Sequence, residues 1–125
     1  MQHSDLVCVK RIKGKGRGVF ARREIGKGAI IERVPVVIIP VENLVGGWKN
    51  AALQKYFYVW SRDTVAASLG YGSLYNHSYT PNAWYEHGSK VLLYRALRRI
   101  APGEEITVNY NGRPADRRPV GFKVL

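Results

Sequence analysis

The sequence predicts a mainly β fold of small sheets with very little helix. Short stretches rich in β-branched and aromatic residues recur along the chain, and turns containing glycine or proline separate them. No internal repeat and no low-complexity segment is present. At 125 residues, the chain is long enough for one hydrophobic core and too short for two, so we expect residues 1–125 to form a single domain.

The first half of the chain contains the clearest hairpin. A glycine-rich turn at residues 14–18 connects two stretches of alternating or β-branched residues, and a further strand follows a second glycine turn. These predicted strands cover residues 6–12, 19–21 and 29–34. Pro35 and Pro40 then confine the next apolar segment to a sheet edge or an irregular connection, because proline cannot donate to a strand ladder.

The second half begins with a loop at residues 41–50, and Asn50 is a candidate N-cap for a short helix over residues 51–55. Gly88 and Ser89 separate two later strands and indicate another hairpin. The predicted strands of this half cover residues 56–60, 64–69, 83–87, 91–97 and 105–110.

Three glycine-rich or polar stretches stand out from this pattern. They are G-R-G at residues 16–18, N-H-S-Y-T-P-N at 76–82 and G-E-E-I-T-V-N-Y at 103–110. A polar turn alone usually only reverses the chain. Together and in this order, the three stretches resemble the SET domain of protein-lysine methyltransferases. The resemblance covers about residues 6–112 and leaves a basic tail at 113–125.

The resemblance implies several small twisted sheets around a knot-like crossing, in which the C-terminal segment threads under a loop beside the second motif. It also implies methyl transfer from S-adenosylmethionine (SAM) to a lysine amine. Gly16 and Gly18 would let the backbone approach the methionine part of SAM, since glycine has no side chain. Asn76 would bond the methionine ammonium and His77 would offer its backbone to the adenine. The cofactor-binding residues implied are Lys15, Gly16, Arg17, Gly18, Asn76, His77, Tyr110 and Phe122.

The resemblance places three tyrosines at the catalytic centre. Tyr110 matches the family's catalytic tyrosine, Tyr85 matches a position that tunes how many methyl groups are added, and Tyr58 is the candidate for the other wall of the lysine channel. The spacing also permits Tyr56 for that wall. A lysine amine must be neutral to attack, and desolvation among aromatic rings lowers its pKa. A tyrosine at position 85 favours monomethylation. The alternative to a catalytic role for each of these tyrosines is an ordinary structural role as a packed strand residue.

The sequence departs from many family members after Tyr110. Residues 111–125 contain no cysteine, so the zinc cluster that completes the channel in many SET enzymes is missing, and no other metal-ligand spacing occurs. Phe122 is the only aromatic residue left there to cover the adenine. The channel is therefore expected to be open or to be closed by a second subunit in a homodimer. Asn109 also replaces the aspartate that often precedes the tyrosine.

The net charge of +11 is concentrated at the two ends of the chain. Residues 10–28 carry eight basic side chains against Glu24 alone, and residues 95–125 carry seven against three acidic ones. Such a field favours DNA or another polyanion, although charge also confers solubility. With no apolar run long enough for a membrane span and no signal segment, we expect a soluble intracellular protein, cytoplasmic or associated with the nucleus or nucleoid.

The charge conflicts with a lysine-rich substrate, which a basic enzyme should repel. An acidic patch from Glu42, Asp63 or Glu86 would resolve the conflict, and so would a substrate protein already bound to DNA. Two alternatives to a lysine methyltransferase stay open. One is a basic β module that binds nucleic acid with Trp48, Trp60 and the tyrosines as stacking platforms. The other is a SET fold that binds SAM and transfers nothing.

Overall fold

The computed structural model describes residues 5–50 and 56–120, and the predicted mainly β architecture is confirmed. The strands are β1 (Val7–Ile12), β2 (Gly16–Ala21), β3 (Ile30–Pro40), β4 (Phe57–Val59), β5 (Thr64–Ser68), β6 (Asn76–His77), β7 (Ala83–His87), β8 (Val91–Ala96) and β9 (Glu105–Val108). Short 3-10 turns lie at Val41–Asn43, Gly47–Lys49 and Gly72–Leu74. The helix predicted at 51–55 and Phe122 lie outside the described residues.

The strands form two sheets, with orders β1-β2-β9-β6 and β4-β5-β3-β8-β7. The predicted hairpin of β1 and β2 is present, with Val7 opposite Ala21 and Ile12 opposite Gly16. Residues 16–18, which were expected in the turn, belong to β2, and the turn itself lies at residues 13–15. β9 pairs antiparallel with β2 and parallel with β6. The third motif is therefore hydrogen-bonded to both of the others, and this C-terminal crossing brings all three motifs to one place.

The expectation of a sheet edge or an irregular connection for the segment after Pro35 is wrong for the strand as a whole, although residues 36–40 have a ladder partner on one side only. β3 is a strand of 11 residues at the centre of the larger sheet. Residues 30–35 pair with β8 and residues 36–40 pair with β5. Since each half has a ladder partner on one side only, the strand can contain Pro35 and Pro40 without losing ladder bonds on both sides.

The core contains residues of both sheets and reaches the start of the second motif at Tyr75. Its members are apolar residues of the strands together with two fully buried tyrosines. They include Val19, Ile31, Val34, Tyr75, Leu92, Tyr94, Ile100, Ile106 and Val108. Tyr75 directly precedes β6, so burying its ring fixes the start of the second motif. In the described ranges, no helix has the length and apolar character that a membrane crossing requires.

Candidate active site

A cavity of about 720 Å³ opens beside the C-terminal end of β9, and aromatic side chains form much of its wall. The structure brings Tyr58, Tyr85 and Tyr110 together here, although they come from β4, β7 and the segment after β9. Tyr56, the alternative to Tyr58, also lines the cavity, but its side chain is about half exposed. We call this space the tyrosine cavity.

Hydrogen bonds and ring contacts hold the tyrosine rings in place. The rings of Tyr58 and Tyr85 meet edge to face with centroids 4.8 Å apart. Tyr94 donates from its hydroxyl to the Tyr58 hydroxyl at 2.9 Å, and Tyr58 donates to the Gly72 carbonyl at 2.5 Å. The cavity therefore has a rigid aromatic wall whose hydroxyl positions are set by the backbone.

The tyrosine hydroxyls stay protonated at neutral pH. Burial raises the pKa of Tyr85 to about 12, with a smaller contribution from nearby Tyr110. Burial also raises the pKa of Tyr110 to about 12, and the charge of Glu105 adds to that shift. The pKa of Tyr58 is well above its ordinary value for the same main reason, burial. The wall thus presents neutral hydroxyl groups, whose protons are directed to backbone carbonyls, and apolar ring surface rather than negative charge.

Tyr110 is held at both of its ends by the second motif. Its backbone N–H donates to His77 Nδ1 at 2.9 Å, and its hydroxyl donates to the Tyr75 carbonyl at 2.5 Å. Burial lowers the pKa of His77, so the ring is neutral and Nδ1 can accept. The His77 side chain therefore holds the Tyr110 backbone in place.

The first and second motifs meet next to Tyr110. Asn76 donates from Nδ2 to the Arg17 carbonyl at 2.9 Å and to Glu105 Oε2 at 2.7 Å. Lys15 approaches Glu105 Oε1 at 3.3 Å. Within the described part of the chain, no group donates to Asn76 Oδ1, so this acceptor is open to a ligand.

The two glycines of the first motif differ in their surroundings. A Cβ on Gly18 would lie 2.6 Å from Glu105 Oε2 and from Ile12 Cδ1, and 2.9 Å from Asn76 Nδ2. Gly16 has a φ of +84°, and a Cβ there would meet no atom within 4 Å. Gly18 therefore allows close packing within the chain, whereas Gly16 leaves open space in which a ligand can approach the backbone.

Sequence reasoning missed Glu32, a buried carboxylate beneath the second motif. It is 5% exposed, and it accepts hydrogen bonds from the Tyr75 hydroxyl at 2.8 Å and from the Tyr71 N–H at 3.3 Å. Burial raises the pKa of Glu32, and these two hydrogen bonds oppose the shift. The sequence signal that could have identified Glu32 is an acidic residue among the apolar residues of β3. Glu32 positions Tyr75, whose carbonyl accepts from Tyr110.

The residues after Tyr110 fold back over the cavity. Asn109 is buried and donates from Nδ2 to the carbonyls of Pro114 and Asp116, at 3.3 and 2.6 Å. Asn111 donates to the Arg118 carbonyl at 2.7 Å, and both residues line the cavity. The carbonyls of Pro114 and Asp116 both need the side-chain amide of Asn109 as a donor, which explains structurally why asparagine occupies position 109. Among the described residues, no group of three or more His, Cys, Asp or Glu side chains could hold a metal ion.

Three comparisons with known proteins agree with one another. Residues 16–111 match the family model of the SET domain. A curated relative from Schizosaccharomyces pombe, a histone-lysine N-methyltransferase specific for lysine 37 of histone H3, is 33% identical over 104 residues, which are 82% of this chain and 71% of the relative. A crystal structure of a candidate histone methyltransferase from Plasmodium falciparum is 33% identical and superimposes with a TM-score of 0.72, covering 88% of this chain and 95% of that one.

Proposed function

Since this chain belongs to the SET-domain family of protein-lysine methyltransferases, we propose that it methylates a lysine side chain with SAM as the methyl donor. The observation that carries the proposal is the position of Tyr110. Tyr110 lines the tyrosine cavity, its hydroxyl donates to the Tyr75 carbonyl, and its backbone is bonded to His77 of the second motif.

The residues of the first two motifs fit the methionine part of SAM. The open Oδ1 of Asn76 can accept from an ammonium group, the backbone beside Gly16 is free to be approached, and the carboxylate of Glu105 adds favourable negative charge for a cation. Lys15 and Arg17 provide positive charge for the carboxylate end. The adenine role of His77 and the covering role of Phe122 stay predictions. When bound, SAM supplies a methyl group on a positively charged sulfur.

The tyrosine cavity suits the lysine side chain. Its rings remove water from the amine, which lowers the amine pKa and favours the neutral form that can act as a nucleophile. Tyr110 and the Tyr75 carbonyl orient the amine, while Tyr58 and Tyr85 align the aliphatic chain. The protonated hydroxyl of Tyr85 occupies room beside the amine. For this reason we propose monomethylation as the main outcome.

The polyanion contact belongs to the same proposal. In the β1–β2 hairpin, Arg11 lies directly opposite Arg17, an arrangement of like charges that is unfavourable without a counterion. Within the described residues, neither forms an ion pair, and Lys10 and Lys13 extend the same charge. We propose that this hairpin contacts DNA and that the substrate is a protein associated with it.

The residues after Tyr110 form part of the wall of the tyrosine cavity, which favours a lysine channel that the chain itself encloses in part. Asn111, Gly112 and Arg118 line the cavity, which favours this arrangement over one completed by a second subunit. The purely nucleic-acid-binding alternative is less favoured. Trp60, one of its stacking platforms, is covered by the His87 ring at a centroid distance of 4.4 Å with an interplanar angle of 9°.

The test compares Tyr110→Phe with the wild type. Calorimetric titration of SAM and of its demethylated product measures binding, and transfer of a labelled methyl group to proteins of a mixed extract measures activity. We expect Tyr110→Phe to bind SAM within about threefold of the wild type and to lose about 100-fold in rate, the size of effect that one oriented donor has.

Tyr71→Phe is the matched control, because Tyr71 is a tyrosine outside the lining of the cavity. It should keep both binding and rate. Folded wild-type protein that binds no SAM would reject the proposal. SAM binding without any labelled product would support the inactive SAM-binding fold instead.

A further inference from the structure

A second cavity of about 390 Å³ adjoins the tyrosine cavity. Trp48 lines both cavities, so the two spaces adjoin at this one residue. The second cavity contains two acidic side chains and no basic one among the described residues that line it. Its lining consists of Pro40, Val41, Glu42, Trp48, Asp63 and Thr64. We call it the acidic cavity.

The two acidic residues of this cavity are exceptional within the chain. Of its nine acidic residues, six form ion pairs with arginine or lysine, namely Asp5, Glu24, Glu86, Glu104, Glu105 and Asp116. Glu32 is buried and hydrogen-bonded to Tyr75. Only Glu42 and Asp63 remain, and both line the acidic cavity. In a chain of net charge +11, the two acidic residues without a basic partner in the described part thus line the same cavity.

The backbone holds this arrangement together. The Val41 N–H donates to the Asp63 carbonyl at 2.9 Å, which ties the segment bearing Glu42 to the segment bearing Asp63. Trp48 follows in a 3-10 turn that begins at Gly47, where an added Cβ would lie 3.7 Å from Val41 Cγ1. Trp48 is 44% exposed, so part of this residue is accessible to a ligand. Two carboxylates beside an exposed indole can bind a cationic side chain through charge and through cation–π attraction.

We propose that the acidic cavity binds an arginine or lysine side chain of the substrate polypeptide, at a residue other than the methylated one. The inference rests on the proposed function, because it places the methylated lysine in the tyrosine cavity and the second basic residue across Trp48. It explains how a basic enzyme accepts a basic peptide. Glu86, the third residue of the predicted acidic patch, lines the tyrosine cavity but is already paired with Arg95.

Basic residues near the acidic cavity do not fill it. Lys49 and Arg62 directly follow Trp48 and precede Asp63 in the sequence. Neither lines the cavity, and neither forms an ion pair within the described ranges. Their charges moderate the local potential without neutralising the two carboxylates through contact. We therefore expect the cavity to select for a cation, with a strength that decreases as salt increases.

The experiment uses fluorescent peptides that contain one central lysine and one arginine, with the arginine moved from five residues before the lysine to five residues after it. Each peptide has a partner in which citrulline, neutral and nearly the same shape, replaces the arginine. Fluorescence anisotropy in the presence of the demethylated product of SAM measures binding without turnover, and mass spectrometry measures methylation. The variants are Glu42→Gln/Asp63→Asn and a control of equal charge change, Asp5→Asn/Glu24→Gln.

We expect at least one arginine position to bind the wild type about tenfold more tightly than its citrulline partner. The double variant at Glu42 and Asp63 should bind both peptides equally and raise KM for the arginine peptide by about fivefold to tenfold with little change in kcat. The control at Asp5 and Glu24, which are exposed residues outside both cavities, should keep the preference.

Two results would overturn the inference. One is equal binding of arginine and citrulline peptides by the wild type at every position, and the other is a preference that persists in the Glu42→Gln/Asp63→Asn variant. Both can be observed while SAM binding and methylation are normal, so they are distinct from failure of the proposed function. That failure would appear as folded protein without SAM binding.

Discussion

Replacing Gly18 by alanine tests whether the packing between motifs creates the cofactor site. Gly18 lies in β2, and its Cα faces Ile12, Glu105 and Asn76. The added methyl group would lie 2.6 Å from two of these side chains and 2.9 Å from the third. Ordinary contacts between such atoms are about 3.5 to 4.0 Å, so each neighbour must move by roughly 1 Å.

The three neighbours can move at very different cost. Ile12 presents the flexible end of its side chain, which can rotate away. Asn76 and Glu105 are bonded to one another at 2.7 Å, and Asn76 is also bonded to the Arg17 carbonyl. Displacing them breaks these bonds. We expect a loss of about 1 to 3 kcal/mol in the free energy of unfolding from overpacking. We also expect at least a tenfold loss in SAM affinity, because the acceptor of Asn76 is moved.

The assay pairs chemical unfolding with calorimetric SAM titration and includes Gly28→Ala as a control. Gly28 has a φ of +79°, and an added Cβ meets no atom within 4 Å. Alanine there costs about 1 to 2 kcal/mol of backbone strain without touching Asn76. The two variants should therefore lose similar stability, and only Gly18→Ala should lose SAM affinity. Equal SAM affinity in the two variants would refute the reasoning.

Three further substitutions follow from the site. Tyr85→Phe should shift the products from monomethyl-lysine towards di- and trimethyl-lysine, measured by mass spectrometry, because it removes a hydroxyl beside the amine. Asn109→Asp should lower the free energy of unfolding by about 1 to 3 kcal/mol in urea titrations, since two tail carbonyls, those of Pro114 and Asp116, lose their donor; unchanged stability would contradict this role. The raised pKa of Glu32 means that its ionisation in the folded state costs stability as pH rises above about 4.3, its unfolded value. Unfolding titrations from pH 4 to 8 should therefore show Glu32→Gln gaining stability relative to the wild type with rising pH, and a constant difference would exclude the effect.

Local sequence patterns predicted those secondary-structure elements that depend only on residues close together in the chain. Alternation and a glycine turn were enough for the β1–β2 hairpin, and the motif spacing led to Tyr58, Tyr85 and Tyr110 before their meeting in one cavity was known. The family resemblance, more than periodicity, supplied the C-terminal crossing. The roles of these residues towards SAM and lysine stay predictions until they are assayed.

Contacts between distant residues could not be predicted in the same way. Proline rules predicted a sheet edge or an irregular connection for the segment after Pro35, because a sequence does not show that a strand changes partner halfway along its length. The pairing of Lys15 with Glu105 joins residues 90 positions apart. Glu32 was overlooked since its partners, Tyr71 and Tyr75, lie in another part of the chain.

The double pairing of β9 also governs when the site can form during folding. Asn76 bonds to Arg17 across 59 residues, and the strand between their segments is contributed by residues 105–108. Loops of this length must close before any cofactor contact is complete, and contacts so distant in sequence are typical of slowly folding β proteins. On the ribosome, the proposed SAM site is incomplete until the chain beyond Tyr110 has emerged. We therefore expect SAM to stabilise the finished fold and not its earlier stages.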